Sequence, residues 1–147
     1  MDEDRFVASV ENLTNTLYRI CRSILPCDAD CMDAVQSAVL KAWINIHTLR
    51  DENLFDRWLI RIAINECRKL LRKNRPLVPL TEDLPARDTD RAWEILHALD
   101  EKYRLPAELY YVENYKTSEI ARILRLPEGT VKRRLHTARK LLKEGGL

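Results

Sequence analysis

Six residues near the end of the chain carry the clearest chemistry. Thr130, Lys132, Arg133, Arg134, His136 and Arg139 fall within ten positions, with Lys140 beside them. Arginine and lysine donate hydrogen bonds to the acceptors on guanine edges and to phosphate oxygens. A second basic cluster runs from Arg57 to Arg75, holding Arg61, Arg68, Lys69, Arg72 and Lys73 against only Asp56 and Glu66. The net charge of the chain is only +2, so these stripes stand out from a nearly neutral background. Two separate stripes suggest two contacts with phosphate.

Other chemistries find little support. His47, His97 and His136 are far apart in sequence, and no Ser/His/Asp grouping and no phosphate-cradling glycine loop is present. Neither catalytic residues nor a cofactor is expected. Cys27 and Cys31 lie four apart, with Cys21 upstream and Cys67 distant. This spacing fits no standard zinc pattern, and no metal site is expected. Structural thiols are the favoured reading, with a Cys27–Cys31 redox switch as the rival. The acidic N-terminus lacks the apolar core of a secretory leader. No apolar run approaches the ~20 residues of a membrane helix. A cytoplasmic protein with reduced thiols and no membrane insertion is expected.

Helices must position these residues. Phe6, Val10, Leu13, Leu17, Ile20 and Ile24 repeat at helical spacing over residues 5–25. Asp28 or Asp30 could cap a second helix with Val35, Val39, Ala42, Trp43 and Ile46 inward. Residues 48–54 read as a loop. A third helix is predicted from Phe55 to Asn74, with Trp58, Leu59, Ile62, Ala63 and Leu70 inward. Arg61, Asn65, Arg68 and Arg72 then share its other face, flanked by Lys69. Trp58 fits either the core or a stacking platform for an unpaired base.

From Pro76 to Asp90 the composition shifts to Pro, Thr and acidic residues. The stretch reads as a flexible linker, although an ordered loop inside one domain would also fit. Further helices are predicted near 91–99 and 106–114. Thr117 is then a plausible N-cap for a helix burying Ile120, Ala121 and Leu124. Pro127 breaks that helix, and Glu128 and Gly129 open another with Val131, Leu135, Ala138 and Leu142 at core spacing. Two short helices across a tight turn make a helix-turn-helix. Its second helix would bring Thr130, Lys132, Arg133 and His136 to base edges in the major groove. A basic hairpin with merely solvated charges is the bland alternative.

In order and spacing these pieces match a known family. They are Asp33-Ala-Val-Gln36, Leu40-Lys-Ala-Trp43, Phe55-Asp-Arg-Trp58 through Asn65, Leu105-Pro106, Glu119-Ile-Ala121 and Pro127-Glu-Gly-Thr-Val-Lys132. The chain resembles a bacterial sigma factor of the extracytoplasmic-function (ECF) group over residues 5–75 and 91–144. The resemblance implies an all-α chain of two small helical domains, 1–75 and 91–147, joined by a flexible linker at 76–90. It implies a transcription initiation factor, with core RNA polymerase and promoter DNA as partners. Asp33, Gln36, Lys41 and Asn45 would meet the polymerase β′ clamp helices. The loop at Thr48–Leu54 would capture a flipped −10 base, with Arg61, Asn65, Arg68, Lys69 and Arg72 along the strand. Lys132, Arg133 and His136 would contact bases of the −35 element, with Thr130 at the helix start and Arg134 and Arg139 on phosphate. An inhibitory anti-sigma partner is also implied.

Three departures matter. Arg125 stands where the family has glycine at the turn, so a different turn is expected. Arg133 replaces a small polar residue, which would shift the preferred −35 sequence. Lys116 replaces a capping serine, which moves the expected cap to Thr117. The rival readings are a stand-alone helix-turn-helix regulator and a recombinase-like enzyme. The second basic helix and the polar face at Asp33 and Gln36 argue against the first. The lack of a nucleophile with partners in the first half argues against the second.

Overall fold

A computed structural model of the chain describes residues 1–74 and 91–145. The region read as a linker, 76–90, lies outside the described residues. Every regular element among the described residues is helical, and the chain divides into two compact units, Met1–Glu82 and Asp83–Leu147.

The first unit packs three long helices. Helix α1, Glu3–Ile24, starts at Asp2, whose side chain accepts the Arg5 N–H at 2.8 Å. Glu3 and Asp4 add negative charge where the helix dipole favours it. Phe6, Leu17, Ile20, Cys21 and Ile24 are buried, close to the expected stripe. Helix α2 spans Asp28–Ile44. Asp28 does not cap it. Cys27 holds the cap position without a side-chain bond, while the Asp28 carboxylate pairs with the buried Arg22 at 2.9 Å.

The inward face of α2 also differs from expectation. Cys31, Ala34, Ala38 and Ala42 are buried, so small residues let α1 and α3 approach closely. Val35, Val39 and Ile46 are only partly covered. Trp43 stays 41 % exposed at the edge, its ring 5.0 Å from Phe6. Two short 3₁₀ turns, Ile46–Thr48 and Glu52–Leu54, occupy most of the stretch expected to be plain loop. The Asp51 carboxylate accepts the Asn53 N–H at 3.0 Å. Arg5 from α1 pairs with Glu52.

Helix α3, Phe55–Asn74, has the expected bounds. Its buried face is Phe55, Leu59, Ile60, Ala63, Ile64 and Cys67. Trp58, Ile62 and Leu70, expected inward, are half-buried at its margin. Packing against two helices selects a stripe that includes Ile60 and Ile64, and this rotates Trp58 to the rim.

The second unit begins with α4, Arg91–His97, and α5, Glu101–Ala107. Helix α5 starts earlier than the expected Pro106, which lies inside its last turn. Arg104 closes the α4–α5 corner, its Nη1 donating to the carbonyls of His97 and Leu99 at 3.1 and 3.0 Å. Burial of this guanidinium lowers its pKa from the ordinary value. After α5 the chain widens into a π turn, Glu108–Val112, with the Glu113 N–H donating to the Glu108 carbonyl at 3.1 Å.

Helix α6, Thr117–Leu124, and helix α7, Glu128–Glu144, form the helix-turn-helix. Lys116, not Thr117, holds the cap position. A lysine ammonium cannot accept a bond, so only half of a capping box forms: Glu119 Oε1 accepts the Lys116 N–H at 2.8 Å. Thr117 instead donates its hydroxyl to Glu128 Oε2 at 2.9 Å and ties the start of α6 to the start of α7. Ile120, Ile123 and Leu124 are buried on α6, and Val131, Leu135 and Ala138 on α7. Ala121 and Leu142 are partly covered.

Arg125 does not change the turn. It adopts the left-handed conformation, with φ 54° and ψ 48°. The Leu126 N–H reaches back to the Ala121 carbonyl at 3.0 Å, which satisfies the end of α6.

Candidate nucleic-acid interface

Helix α7 has one buried stripe and a broad exposed face. At about 100° per residue, Lys132, Arg133 and His136 cluster opposite Val131, Leu135 and Ala138. All three are exposed. Arg139 lies at one flank of this cluster and Arg134 at the other. A helix inserted in a major groove meets bases at its tip and a phosphate strand on each side. The radial order of these side chains therefore suits groove insertion.

Local contacts refine the set. Thr130 is half-buried, and its hydroxyl accepts from Arg133 Nη2 at 3.2 Å. Glu128 lies 4.0 Å from Lys132, one turn along. Arg139 donates Nε–H to the Tyr111 hydroxyl oxygen at 2.8 Å, and this bond raises its pKa further. Tyr111 was not legible as a site residue, because only the π turn brings it beside α7.

In the first unit, Arg61, Asn65, Arg68, Lys69 and Arg72 share roughly one quadrant of α3. Asn65, Lys69 and Arg72 are exposed, and Arg61 and Arg68 are half-buried. Trp58 falls within the same quadrant. It lines an open groove of ≈ 380 Å³ with Lys41, Asn45, Thr48, Ile62, Asn65 and Glu66. The groove joins an aromatic ring to amide, hydroxyl and charged groups, a combination that suits an unstacked base.

The four residues expected on one polymerase face divide here. Lys41 and Asn45 turn toward α3 and line the groove. Lys41 Nζ donates to Glu66 Oε2 at 2.7 Å, and that bond is the main cause of its raised pKa. Asp33 and Gln36 remain on the outer face of α2, exposed. They share it with Leu40 and Ile44, each 61 % exposed, and Met32 lies at its edge, 53 % exposed. Glu66 is a groove residue that the sequence reading did not single out; its only signal was being an acid inside a basic helix.

The cysteines do not gather into a site. All four are free thiols, and Cys21, Cys31 and Cys67 are buried. Burial, with Cys21 close by, pushes the Cys31 thiol up to about 12. A neutral buried thiol is a poor nucleophile, which disfavours the redox rival. Among the described residues, no group of three His, Cys, Asp or Glu could hold a metal ion. Among them too, no helix is long and apolar enough to cross a membrane.

Two helical units, one a helix-turn-helix with its cations arranged for a groove and the other with a basic face beside a polar groove, define a DNA-binding transcription protein. Comparison with known proteins sharpens this. Residues 10–76 match the family model of Sigma-70 region 2, and residues 89–142 match Sigma-70, region 4. The chain is 30 % identical to the RNA polymerase sigma-E factor of Streptomyces coelicolor, over 95 % of this chain and 84 % of that protein. It is 33 % identical to the ECF sigma factor SigM of Mycobacterium tuberculosis, over 86 % and 69 % of the two chains. Against SigW of Bacillus subtilis the identity is 26 %, over 97 % and 89 %. Among solved structures, the sigma factor RpoE of Bartonella quintana, in complex with the anti-sigma factor NepR, superposes with a TM-score of 0.81. That match is at 21 % identity and covers 96 % of each chain. CnrH, in complex with the cytosolic domain of CnrY, matches with a TM-score of 0.76 at 25 % identity, over 97 % of this chain and 88 % of that one. The chain belongs to the ECF family of RNA polymerase sigma factors, and so acts in promoter-specific transcription rather than as an enzyme family member.

Proposed function

We propose that the chain binds core RNA polymerase through the outer face of α2 and reads promoter DNA with two surfaces. Residues 1–75 form the polymerase and −10 domain, 76–90 the linker, and 91–147 the −35 domain. Asp33 and Gln36 dock on the β′ clamp helices, with Leu40 and Ile44 supplying apolar area. Lys41 and Asn45, first grouped with them, act from the side of the groove. The loop at 48–54 and the groove below it take a flipped −10 base, while Arg61, Asn65, Arg68, Lys69 and Arg72 track the strand. Thr130, Lys132, Arg133 and His136 read the −35 duplex, and Arg134 and Arg139 hold its two phosphate strands. The protein works in the cytoplasm and has no catalytic activity of its own; the chemistry belongs to the polymerase. The solved structure of RpoE in complex with the anti-sigma factor NepR supports an inhibitory anti-sigma partner for this chain as well.

The carrying observation is the exposed face of α2, where Leu40 and Ile44 flank Asp33 and Gln36. An exposed apolar patch edged by polar groups marks a protein-docking face. Capture of bacterial core RNA polymerase by the purified chain tests it. Stoichiometric capture by the wild type, lost in Asp33→Ala/Gln36→Ala with an unchanged Tm, is the expected result. Duplex binding without polymerase capture would favour the stand-alone regulator.

A further inference from the structure

The π turn after α5 does more than change direction. Such widened turns are uncommon, and they often persist where a side chain must be aimed. Here the Glu113 N–H donates to Glu108 O and the Tyr115 N–H to Leu109 O at 2.9 Å, while Asn114 takes φ 62°. The result leaves Tyr111 45 % exposed and beside α7. Its ring meets Tyr110 edge-on, with centroids 5.0 Å apart at 86°, and its hydroxyl accepts the Arg139 Nε–H at 2.8 Å.

The hydrogen-bond inventory of this pair is decisive. Arg139 uses Nε on the phenol and keeps both terminal nitrogens for another acceptor. The Tyr111 oxygen accepts, so its own hydrogen remains a donor. The pair thus presents two kinds of donor at one exposed spot, with the guanidinium held by the π turn. Lys132 and Lys143 lie on the same side of α7 and add positive potential. We infer that Tyr111 and Arg139 form a two-residue clamp for a backbone phosphate of duplex DNA, with Tyr111 as the residue that positions Arg139. This deepens the −35 reading given above and rests on it. It extends the interface beyond the helix-turn-helix to an element outside it.

The test uses the full chain and a fluorescein-labelled duplex of arbitrary sequence, titrated between about 50 and 300 mM potassium chloride. Tyr111→Phe should weaken binding about fivefold, as expected for one lost hydrogen bond. Its plot of log affinity against log salt should be shallower by about 1, as for Arg139→Gln, because one phosphate contact is lost. In the Arg139→Gln background Tyr111→Phe should have no further effect, and Tm should not move. An equal loss in that background, an unchanged salt slope, or no duplex binding by the wild type would overturn the clamp. So would a Tyr111→Phe defect confined to polymerase capture, which would mark a contact with a protein carboxylate. If the wild type fails to capture polymerase while the salt result holds, the sigma reading falls and the clamp stands.

Discussion

Arg125 pays a backbone cost that glycine would avoid. A left-handed residue with a Cβ is disfavoured by roughly 1–2 kcal/mol. Arg125→Gly should therefore stabilise the second unit, by up to about 1 kcal/mol once the greater freedom of glycine in the unfolded chain is subtracted. Arg125→Ala keeps the Cβ and should not. Thermal unfolding of the three proteins checks this. Sequence correctly placed a strained residue at the turn and wrongly expected the turn to yield. The backbone there is fixed from both sides, by the Leu126 N–H on Ala121 and by Thr117 on Glu128.

Cys31 makes a second prediction at this scale. Its thiol is neutral in the folded chain up to about pH 12, while an unfolded thiol ionises near the ordinary value of 9.0. The folded pKa is the higher, so its contribution to stability is complete below pH 9. That contribution is lost progressively as pH rises from 9 toward 12. Cys31→Ala should flatten the alkaline limb of the stability curve relative to wild type, whatever it costs at neutral pH. Alkylation followed by mass analysis should modify the half-exposed Cys27 first. Cys31 should react only on unfolding, and its rapid labelling in the native protein would contradict this reading.

Among the elements, helix bounds were more legible than helix faces. Apolar periodicity located α1 and α3 well, because long amphipathic runs constrain the period. It misjudged α2, where valines and a tryptophan outweighed alanines on paper. In the fold the close-packed seam belongs to Ala34, Ala38 and Ala42, and the larger groups line its edges. Capping was misread for a related reason. Asp28 looks like an N-cap in sequence, but a buried arginine elsewhere in the fold takes its carboxylate. Pro106 resembles a helix start, yet it ends one. Nothing local announces the π turn that follows, so Tyr111 was hidden.

For α7 the face assignment leads to a contrast between neighbours. Arg133 lies among the exposed residues proposed to read bases, and Arg134 lies at a flank. Arg133→Ala should cost ~1–3 kcal/mol on the preferred duplex and relax its sequence preference. Arg134→Ala should weaken binding about equally on all sequences and make the salt dependence shallower by about 1. Competition binding with a randomised −35 duplex pool separates the two. Identical specificity profiles for both variants would contradict the placement.

At the scale of the whole molecule, the two-unit helical architecture and the family were legible from motif order alone. The grouping of Lys41 and Asn45 with the α3 groove was not, because helical neighbours in sequence can face different partners. On the proposed reading, one outer face of α2 would hold polymerase, one groove and basic quadrant would take the melted strand, and α7 would take the duplex.

Transcription from a genomic fragment library by core RNA polymerase, with and without the chain, tests this most directly. New start sites that require the chain are expected. They should be lost with Asp33→Ala/Gln36→Ala, and they should shift in −35 preference with Arg133→Ala. No new start sites from a chain that folds and binds duplex DNA would contradict that reading.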